Sequence, residues 1–235
     1  MRQRGVDVGV PLVVREWPAD GAALVYWGGL NPAAPHGLHA AGPAWSEHYG
    51  LRVLAVSPPG LGETPRVDVE GSLPSALARL VVRLLDALEL ERVAFVGASW
   101  GGFVGCRLVD LVPERLLGLV LLDAGHHDIE PVGSLAMWTR AARDMDVEFP
   151  DVAAAGAAIW GLARERPSET WPSLAASGVP VLLLAAGEHP AAFAAAVPHA
   201  DVRLVPGAGH DVLGEAPDHV IETVARWLAQ QKLLR

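Results

Sequence analysis

A serine flanked by glycines is the residue in this sequence best suited to act as a nucleophile. Ser99 lies in segment 93–102, VAFVGASWGG, where an apolar run leads into the pattern Gly-x-Ser-x-Gly. The run predicts a β-strand and the residues after it predict a helix, so Ser99 falls at a sharp strand-to-helix turn. Gly97 and Gly101 leave room for neighbouring backbone where the turn forces the serine into a sparsely populated conformation.

A serine hydroxyl needs a base that removes its proton, and the base needs an acid that orients it. The candidate base is His210, in segment 205–211, VPGAGHD. It follows a predicted strand, lies in a loop of small residues and precedes the last predicted helix. Among the nine histidines, this position favours His210.

Strands and helices alternate along the chain and would position these residues. The predicted strands are 11–17, 22–27, 51–56, 92–98, 116–122, 179–185 and 201–205. The predicted helices are 38–48, 72–90, 100–112 and 216–231, with a short alanine-rich segment over 190–197. This alternation predicts an α/β fold with a mostly parallel central sheet and helices on both faces. The turn at 18–21, PADG, predicts that the first two strands form an antiparallel edge.

One block, 126–177, breaks the alternation and predicts two or three short helices. It follows a strand and therefore lies at the carboxyl ends of the strands, where open α/β sheets bind ligands. We expect a core formed by 1–125 and 178–235 and a helical lid over 126–177.

Composition excludes several other classes of protein. Apolar residues make up 51% and charged residues 19% of the chain, which is typical of a globular domain. The net charge of −9 argues against nucleic-acid and anionic-membrane partners. No apolar stretch is long enough to span a bilayer and no secretory signal is evident, so we expect a cytoplasmic protein that acts on a small molecule. Its oligomeric state is not predicted.

Metal and cofactor sites are not expected. His126 and His127 are adjacent and point in different directions in any regular element, and no further ligand joins them and Asp128. Gly60 and Gly62 lack the third glycine of a dinucleotide-binding fingerprint. Cys106 is the single cysteine, so no intramolecular disulfide forms.

Four motifs, in order, resemble those of α/β-hydrolase-fold proteins over nearly the whole chain. They are WGGL at 27–30, PGLGET at 59–64, GASWGG at 97–102 and PGAGH at 206–210. The resemblance implies that Ser99 attacks an acyl carbonyl and that His210 is its base. It also implies an oxyanion hole formed by the backbone N–H of Trp100 and that of Gly29 or Leu30.

The acid departs from the family pattern. Its usual position is three residues after Gly187 and holds Pro190. Two carboxylates could replace it: Asp123, which ends the strand 116–122, and Glu188, in the loop after strand 179–185. Asp128, another residue or no acid at all are the remaining alternatives.

The sequence thus predicts a serine hydrolase that cleaves a carboxylic ester or lactone of a small to medium hydrophobic substrate through an acyl-enzyme. Ser99 is the expected nucleophile, His210 the general acid and base, and Asp123 or Glu188 the orienting acid. The alternative is a non-hydrolytic member of the fold, either lyase-type or a ligand-binding or degenerate scaffold, because the fold alone does not determine function.

Overall fold

A mostly parallel β-sheet, whose strands do not lie in chain order, forms the centre of the molecule. The structure, a computed structural model, describes residues 1–29, 35–60, 63–65, 73–128, 130, 136, 161, 164–188 and 190–231. Its strands are β1 (Arg2–Asp7), β2 (Pro11–Trp17), β3 (Ala23–Trp27), β4 (Arg52–Ser57), β5 (Val93–Ala98), β6 (Leu116–Leu122), β7 (Val181–Ala185) and β8 (Asp201–Leu204). They lie side by side in the order β1-β2-β4-β3-β5-β6-β7-β8. Strands β3 to β8 are mutually parallel, which confirms the predicted sheet.

The expected pairing of β2 with β3 is wrong. β2 pairs antiparallel with β1, a strand that the sequence analysis did not identify, and with β4. β3 lies inside the sheet, parallel to β4 and β5. All five residues of β3 are buried, as expected for an apolar strand covered on both faces, whereas β1 buries only Val6 and suits an edge.

Helices cover both faces of the sheet. They are α1 (Pro35–Glu47), α2 (Pro74–Ala87), α3 (Trp100–Leu111), α4 (Trp171–Ser177), α5 (Ala191–Ala196), α6 (Val212–Glu215) and α7 (Pro217–Gln230). The described part of the chain also contains the short 3₁₀ turns Pro113–Arg115 and Pro167–Thr170. One apolar cluster joins the sheet to α2 and α3, and a second joins its opposite face to α1 and α7. None of the described helices is long and apolar enough to span a lipid bilayer.

The apolar spacing in the sequence accounts for α2. Leu77, Leu80, Val81, Leu84 and Leu85 recur every three or four residues and are all buried. They form one face of the helix, and that face packs in the same cluster as α3 and the sheet.

The expected lid lies mostly outside the described residues. Its last residues, Pro167–Ser177, are described and belong structurally to the core. Leu174 is fully buried in the cluster that contains α3, and the indole N–H of Trp171 donates to the carbonyl oxygen of Gly125 at 2.8 Å. Trp171 and Gly125, on either side of most of this block, are thus in direct contact.

The order of the strands in the sheet reverses at β3. β3 leads through α1 to β4 on one side, and β4 leads through α2 to β5 on the other side of β3. In open α/β sheets the crevice at such a reversal, outside the carboxyl ends of the strands, is the usual ligand site. The segments that follow β3, β5, β6, β7 and β8 all begin on this side of the sheet, at the carboxyl ends of the strands.

Candidate active site

Ser99 lies in a strained turn between β5 and α3. Its backbone has φ 51° and ψ −122°, a conformation that non-glycine residues rarely adopt. Its N–H donates to the carbonyl oxygen of Leu122 at 3.0 Å, which fixes the turn against β6. The strained conformation expected from the sequence is therefore present, and it is supported by a neighbouring strand.

The glycines around Ser99 are required by close backbone contacts. A Cβ atom on Gly101 would collide with the carbonyl oxygen of Trp27 and lie 2.7 Å from that of Gly28. A Cβ atom on Gly97 would lie 2.5 Å from the Cα atom of Gly102 and closer still to the carbonyl oxygen of Gly101. The turn thus packs tightly against β3 and against the start of α3, and this packing holds the serine in place.

His210 reaches the serine from the loop between β8 and α6. Its Nε2 atom lies 2.8 Å from Ser99 Oγ, although the two residues are 111 positions apart in the chain. The side chain is 57% exposed, so few packing contacts restrain it. The distance is that of a hydrogen bond in which the hydroxyl donates to an unprotonated Nε2.

The second ring nitrogen of His210 contacts Asp123. Nδ1 lies 2.7 Å from Asp123 Oδ2, and because an ionised carboxylate only accepts, Nδ1 carries the proton that is donated. The other oxygen, Oδ1, accepts the N–H of Ala186 at 2.9 Å. Asp123 is buried and has φ 45°, so the site contains a second residue in a left-handed conformation.

Asp123 and His210 each stabilise the charged form of the other. Burial raises the pKa of Asp123, but the hydrogen bonds from His210 and from the Ala186 N–H, together with the charges of His210 and His126, hold that pKa below its ordinary value. The hydrogen bond to Asp123 raises the pKa of His210 despite the opposing effect of burial, and the charges of Asp123, Asp211 and Glu215 add to it. The arrangement therefore stabilises an imidazolium beside an ionised carboxylate.

The other carboxylates that the sequence proposed lie elsewhere. Glu188 is exposed in the loop after β7 and is not among the described groups that contact His210. Asp128 accepts hydrogen bonds from the N–H and the hydroxyl of Ser168, at 3.0 and 2.8 Å. Pro190 precedes α5. Of the sequence candidates, Asp123 is the one that the structure brings to His210.

Two backbone segments flank the serine hydroxyl. A Cβ atom on Gly29 would lie 2.7 Å from Ser99 Cβ and 3.4 Å from Ser99 Oγ, so the segment after β3 passes directly beside the hydroxyl. Trp100 is the first residue of α3, and N–H groups in the first turn of a helix have no acceptor within the helix. Leu30 lies outside the described residues.

Near this site are also two histidines and a cysteine, residue types that can bind metals or act as nucleophiles. His126 Nε2 is 3.8 Å from Asp123 Oδ1, too far for a hydrogen bond, and its ring stacks edge-to-face on His127. Burial raises the pKa of the Cys106 thiol to about 12, so it remains protonated and is a poor nucleophile. Among the described residues, no three histidine, cysteine or acidic side chains come together as metal ligands.

Two parts of this site were not identified from the sequence. The Ala186 N–H that binds Asp123 is a backbone group, so its residue type gives no indication of its role. The second is the carboxylate of Glu215, which accepts the N–H of Gly209 at 2.8 Å. Glu215 ends α6, five positions after His210, and this closeness in the sequence was the available indication of its role.

One family model and several known proteins match this chain. A family model described as the alpha/beta hydrolase fold matches residues 25–166, more than half of the chain. A provisionally named non-heme haloperoxidase of Mycobacterium phage D29 is 30% identical in an alignment 168 positions long, which covers 65% of this chain and 54% of that protein. A 2-hydroxy-6-oxononadienedioate/2-hydroxy-6-oxononatrienedioate hydrolase of Paraburkholderia phymatum is 34% identical over 37% of this chain and 35% of its own length. The chain thus spans between about a third and about half of these relatives.

Solved structures show the same fold at lower sequence identity. An esterase from Thermogutta terrifontis superimposes with a TM-score of 0.80 and 20% identity, over 98% of this chain and 99% of that one. An enol-lactonase from Burkholderia xenovorans gives a TM-score of 0.76 and 19% identity, over 97% and 100%. At such identities the similarity shows the fold alone.

Proposed function

Because the chain belongs to the alpha/beta hydrolase fold family, we propose that it is a serine hydrolase that cleaves a carboxylic ester or lactone. The observation that carries this proposal is the continuous hydrogen-bonded chain from Ser99 through His210 to Asp123, at 2.8 and 2.7 Å. Nucleophile, base and orienting acid are the three components that acyl transfer by a serine requires.

In the proposed first step, Ser99 Oγ attacks the substrate carbonyl carbon while its proton moves to His210 Nε2. The imidazolium then protonates the leaving alkoxide, and the alcohol departs to leave an acyl-enzyme on Ser99. A water molecule, deprotonated by His210, attacks the acyl carbonyl, and Ser99 recovers its proton as the acid is released. Asp123 stabilises the imidazolium in both halves of the reaction.

Two backbone donors are proposed for the oxyanion of the tetrahedral intermediate. The N–H of Trp100, at the start of α3, is one, and the N–H of Gly29 is the other, because its segment passes beside Ser99 Oγ. Such fixed donors act on charge that develops only in the transition state, and each contributes on the order of 3 kcal/mol. Leu30 remains the alternative to Gly29.

The contact between Asp123 and His210 argues against the alternative of a degenerate scaffold. That alternative rested on Pro190, which occupies the usual position of the acid. Asp123 reaches His210 from the end of β6 and makes the same contact that an acid at 190 would make. This supports a working triad, with Asp123 rather than Glu188 as the orienting acid.

The proposed substrate is a small to medium hydrophobic ester or lactone. The composition of the expected lid over 126–177, which is rich in apolar residues, supports this choice. Several similar proteins are named as an esterase, an enol-lactonase or an N-acyl homoserine lactonase, and all of these names describe cleavage of an ester-type bond.

The test is hydrolysis of p-nitrophenyl acetate and p-nitrophenyl butyrate by the wild type and by Ser99→Ala. We expect the variant to lose at least about a thousandfold in kcat, because its residual catalysis comes from binding and the oxyanion donors alone. Ser173→Ala, on α4, is the matched control and should retain the wild-type rate. A fluorophosphonate should label the wild type at Ser99 and leave Ser99→Ala unlabelled.

Equal rates in wild type and Ser99→Ala would contradict the serine mechanism. Turnover that depends on Ser99 without an acyl-enzyme that mass spectrometry can trap would favour the lyase-type alternative, in which the triad acts as a base.

A further inference from the structure

The loop that carries His210 is held by two hydrogen bonds that flank the histidine. Before it, the Gly209 N–H donates to Glu215 Oε2 at 2.8 Å. After it, the Gly214 N–H donates to Asp211 Oδ1 at 3.0 Å. The side chain of His210 itself is more than half exposed, so packing does little to fix its direction. Apart from the hydrogen bond to Asp123, its orientation toward Ser99 therefore depends on how firmly this loop is held.

Glu215 is fitted closely to the residue before the histidine. A Cβ atom on Gly209 would lie 2.9 Å from Glu215 Oε1 and 3.3 Å from Oε2. The carboxylate therefore lies directly against Gly209, and a Cβ atom at that position would displace it. The N–H of Glu215 in turn donates to the carbonyl oxygen of Asp211 at 2.8 Å, which closes the single turn of α6 directly after His210.

The same carboxylate also acts on the charge state of the imidazole. The charges that face His210 are those of Asp123, from the loop after β6, and of Asp211 and Glu215, from its own loop and α6. His127, in the loop after β6, also interacts with His210, and His126 lies between His127 and Asp123. Glu215 is thus one of three carboxylates that stabilise the imidazolium, and it also accepts the N–H of the residue directly before the histidine.

We propose that Glu215 is a positioning residue for His210, which fixes the loop through the Gly209 N–H and places a negative charge beside the imidazole. The role in catalysis rests on the proposed function, whereas the effect on the imidazole does not. Glu215 does not contact the reacting atoms and acts only through His210.

Two substitutions separate the two effects. Glu215→Ala removes both the acceptor and the charge, and we expect kcat for p-nitrophenyl butyrate to fall at least about tenfold with KM within about twofold, since misplacing a catalytic group affects the chemical step. Glu215→Gln keeps an acceptor oxygen and removes the charge. Its kcat should therefore be closer to that of the wild type than to that of Glu215→Ala.

The charge effect has a definite sign in the pH profile. The base must be neutral, so kcat/KM rises as pH increases through the pKa of His210, which its carboxylates hold above the ordinary value. Loss of one negative charge destabilises the imidazolium and lowers that pKa. The acid limb of Glu215→Gln should therefore move to lower pH, by about 0.3 pH unit or more.

A titration of His210 by NMR makes the test independent of turnover. The resonance is assigned by its absence in His210→Ala, and its midpoint is compared in wild type, Glu215→Gln and Asp218→Asn. Asp218, in the first turn of α7, is the control because it is exposed and is not among the charges that act on His210. We expect a lower midpoint in Glu215→Gln and a wild-type midpoint in Asp218→Asn.

A wild-type midpoint in Glu215→Gln, or a wild-type kcat in Glu215→Ala, would overturn the proposal. If Glu215→Ala does not fold, the titration of Glu215→Gln decides. If the wild type hydrolyses no ester, the proposed function fails, and the titration still decides whether Glu215 acts on His210.

Discussion

At the scale of single residues, the identity of the acid is the point that the sequence left open. Two carboxylates were comparable from the sequence, because both follow strands that end at the same sheet edge. Only Asp123 lies within hydrogen-bond distance of His210 among the described residues, and the Ala186 N–H orients its second oxygen. A carboxylate held in this way stays ionised and keeps the Nδ1 proton on the imidazole.

Asp123→Asn should therefore lower kcat by about 10³- to 10⁴-fold, because the neutral amide no longer stabilises the imidazolium or fixes its tautomer. Glu188→Gln is the matched control in the neighbouring loop and should stay within about twofold of wild type. Steady-state hydrolysis of p-nitrophenyl butyrate measures both. The reverse ranking would assign the acid to Glu188.

At the scale of elements, the turn between β5 and α3 depends on glycine for steric reasons. Gly101 lies against the backbone carbonyls of Trp27 and Gly28 at the end of β3, so the strand that supplies the proposed oxyanion donor also limits what the elbow can contain. Gly102 is similarly close to Ala124, beside the acid. The elbow, the oxyanion segment and the acid loop thus pack as one unit.

Gly101→Ala should destabilise the protein by about 2–3 kcal/mol, because the added methyl group meets backbone atoms that cannot move aside as a side chain can. Gly5→Ala, in β1, is the control, since a Cβ atom there has no atom within 4 Å. Its effect should be within about 0.5 kcal/mol. Urea unfolding followed by circular dichroism measures the free energies, and similar values for the two variants would refute the steric argument.

At the scale of the whole molecule, two apolar clusters share one sheet. Leu84 of α2 is fully buried in the first and Leu228 of α7 in the second, and the strands between them alternate their side chains into each. Trp45 of α1 also donates its indole N–H to the carbonyl oxygen of Ile221 at 3.1 Å, across 176 residues of chain. Because every strand between β3 and β7 contributes to both clusters, neither should melt without the other.

Leu84→Ala and Leu228→Ala should each cost about 2–5 kcal/mol, from lost burial and the cavity left behind. Leu111→Ala is the control, because that side chain is 41% exposed and its loss should cost less than about 0.5 kcal/mol. In both core variants, tryptophan fluorescence and far-ultraviolet circular dichroism should report one coincident transition. Two separated transitions in either variant would show that the clusters unfold independently.

The sequence alone determined the features that depend on local pattern. The apolar spacing of α2, the apolar run of β5 and the Gly-x-Ser-x-Gly turn are set by neighbours within a few residues, so these elements form within a few residues of where the pattern predicts them. The order of Ser99 and His210 along the chain was sufficient to suggest a nucleophile and its base. The exposed, polar edge strand β1 carries no such pattern and was not identified.

Only the tertiary structure decided which strands are neighbours and which carboxylate meets His210. Strand order depends on which apolar faces the helices bury, so β3 lies inside the sheet although its connection to β2 resembles that of a hairpin. The contact between Asp123 and His210 joins residues 87 positions apart and depends on the parallel pairing of β6, β7 and β8. Such distances are fixed by packing between elements, which a local sequence pattern does not contain.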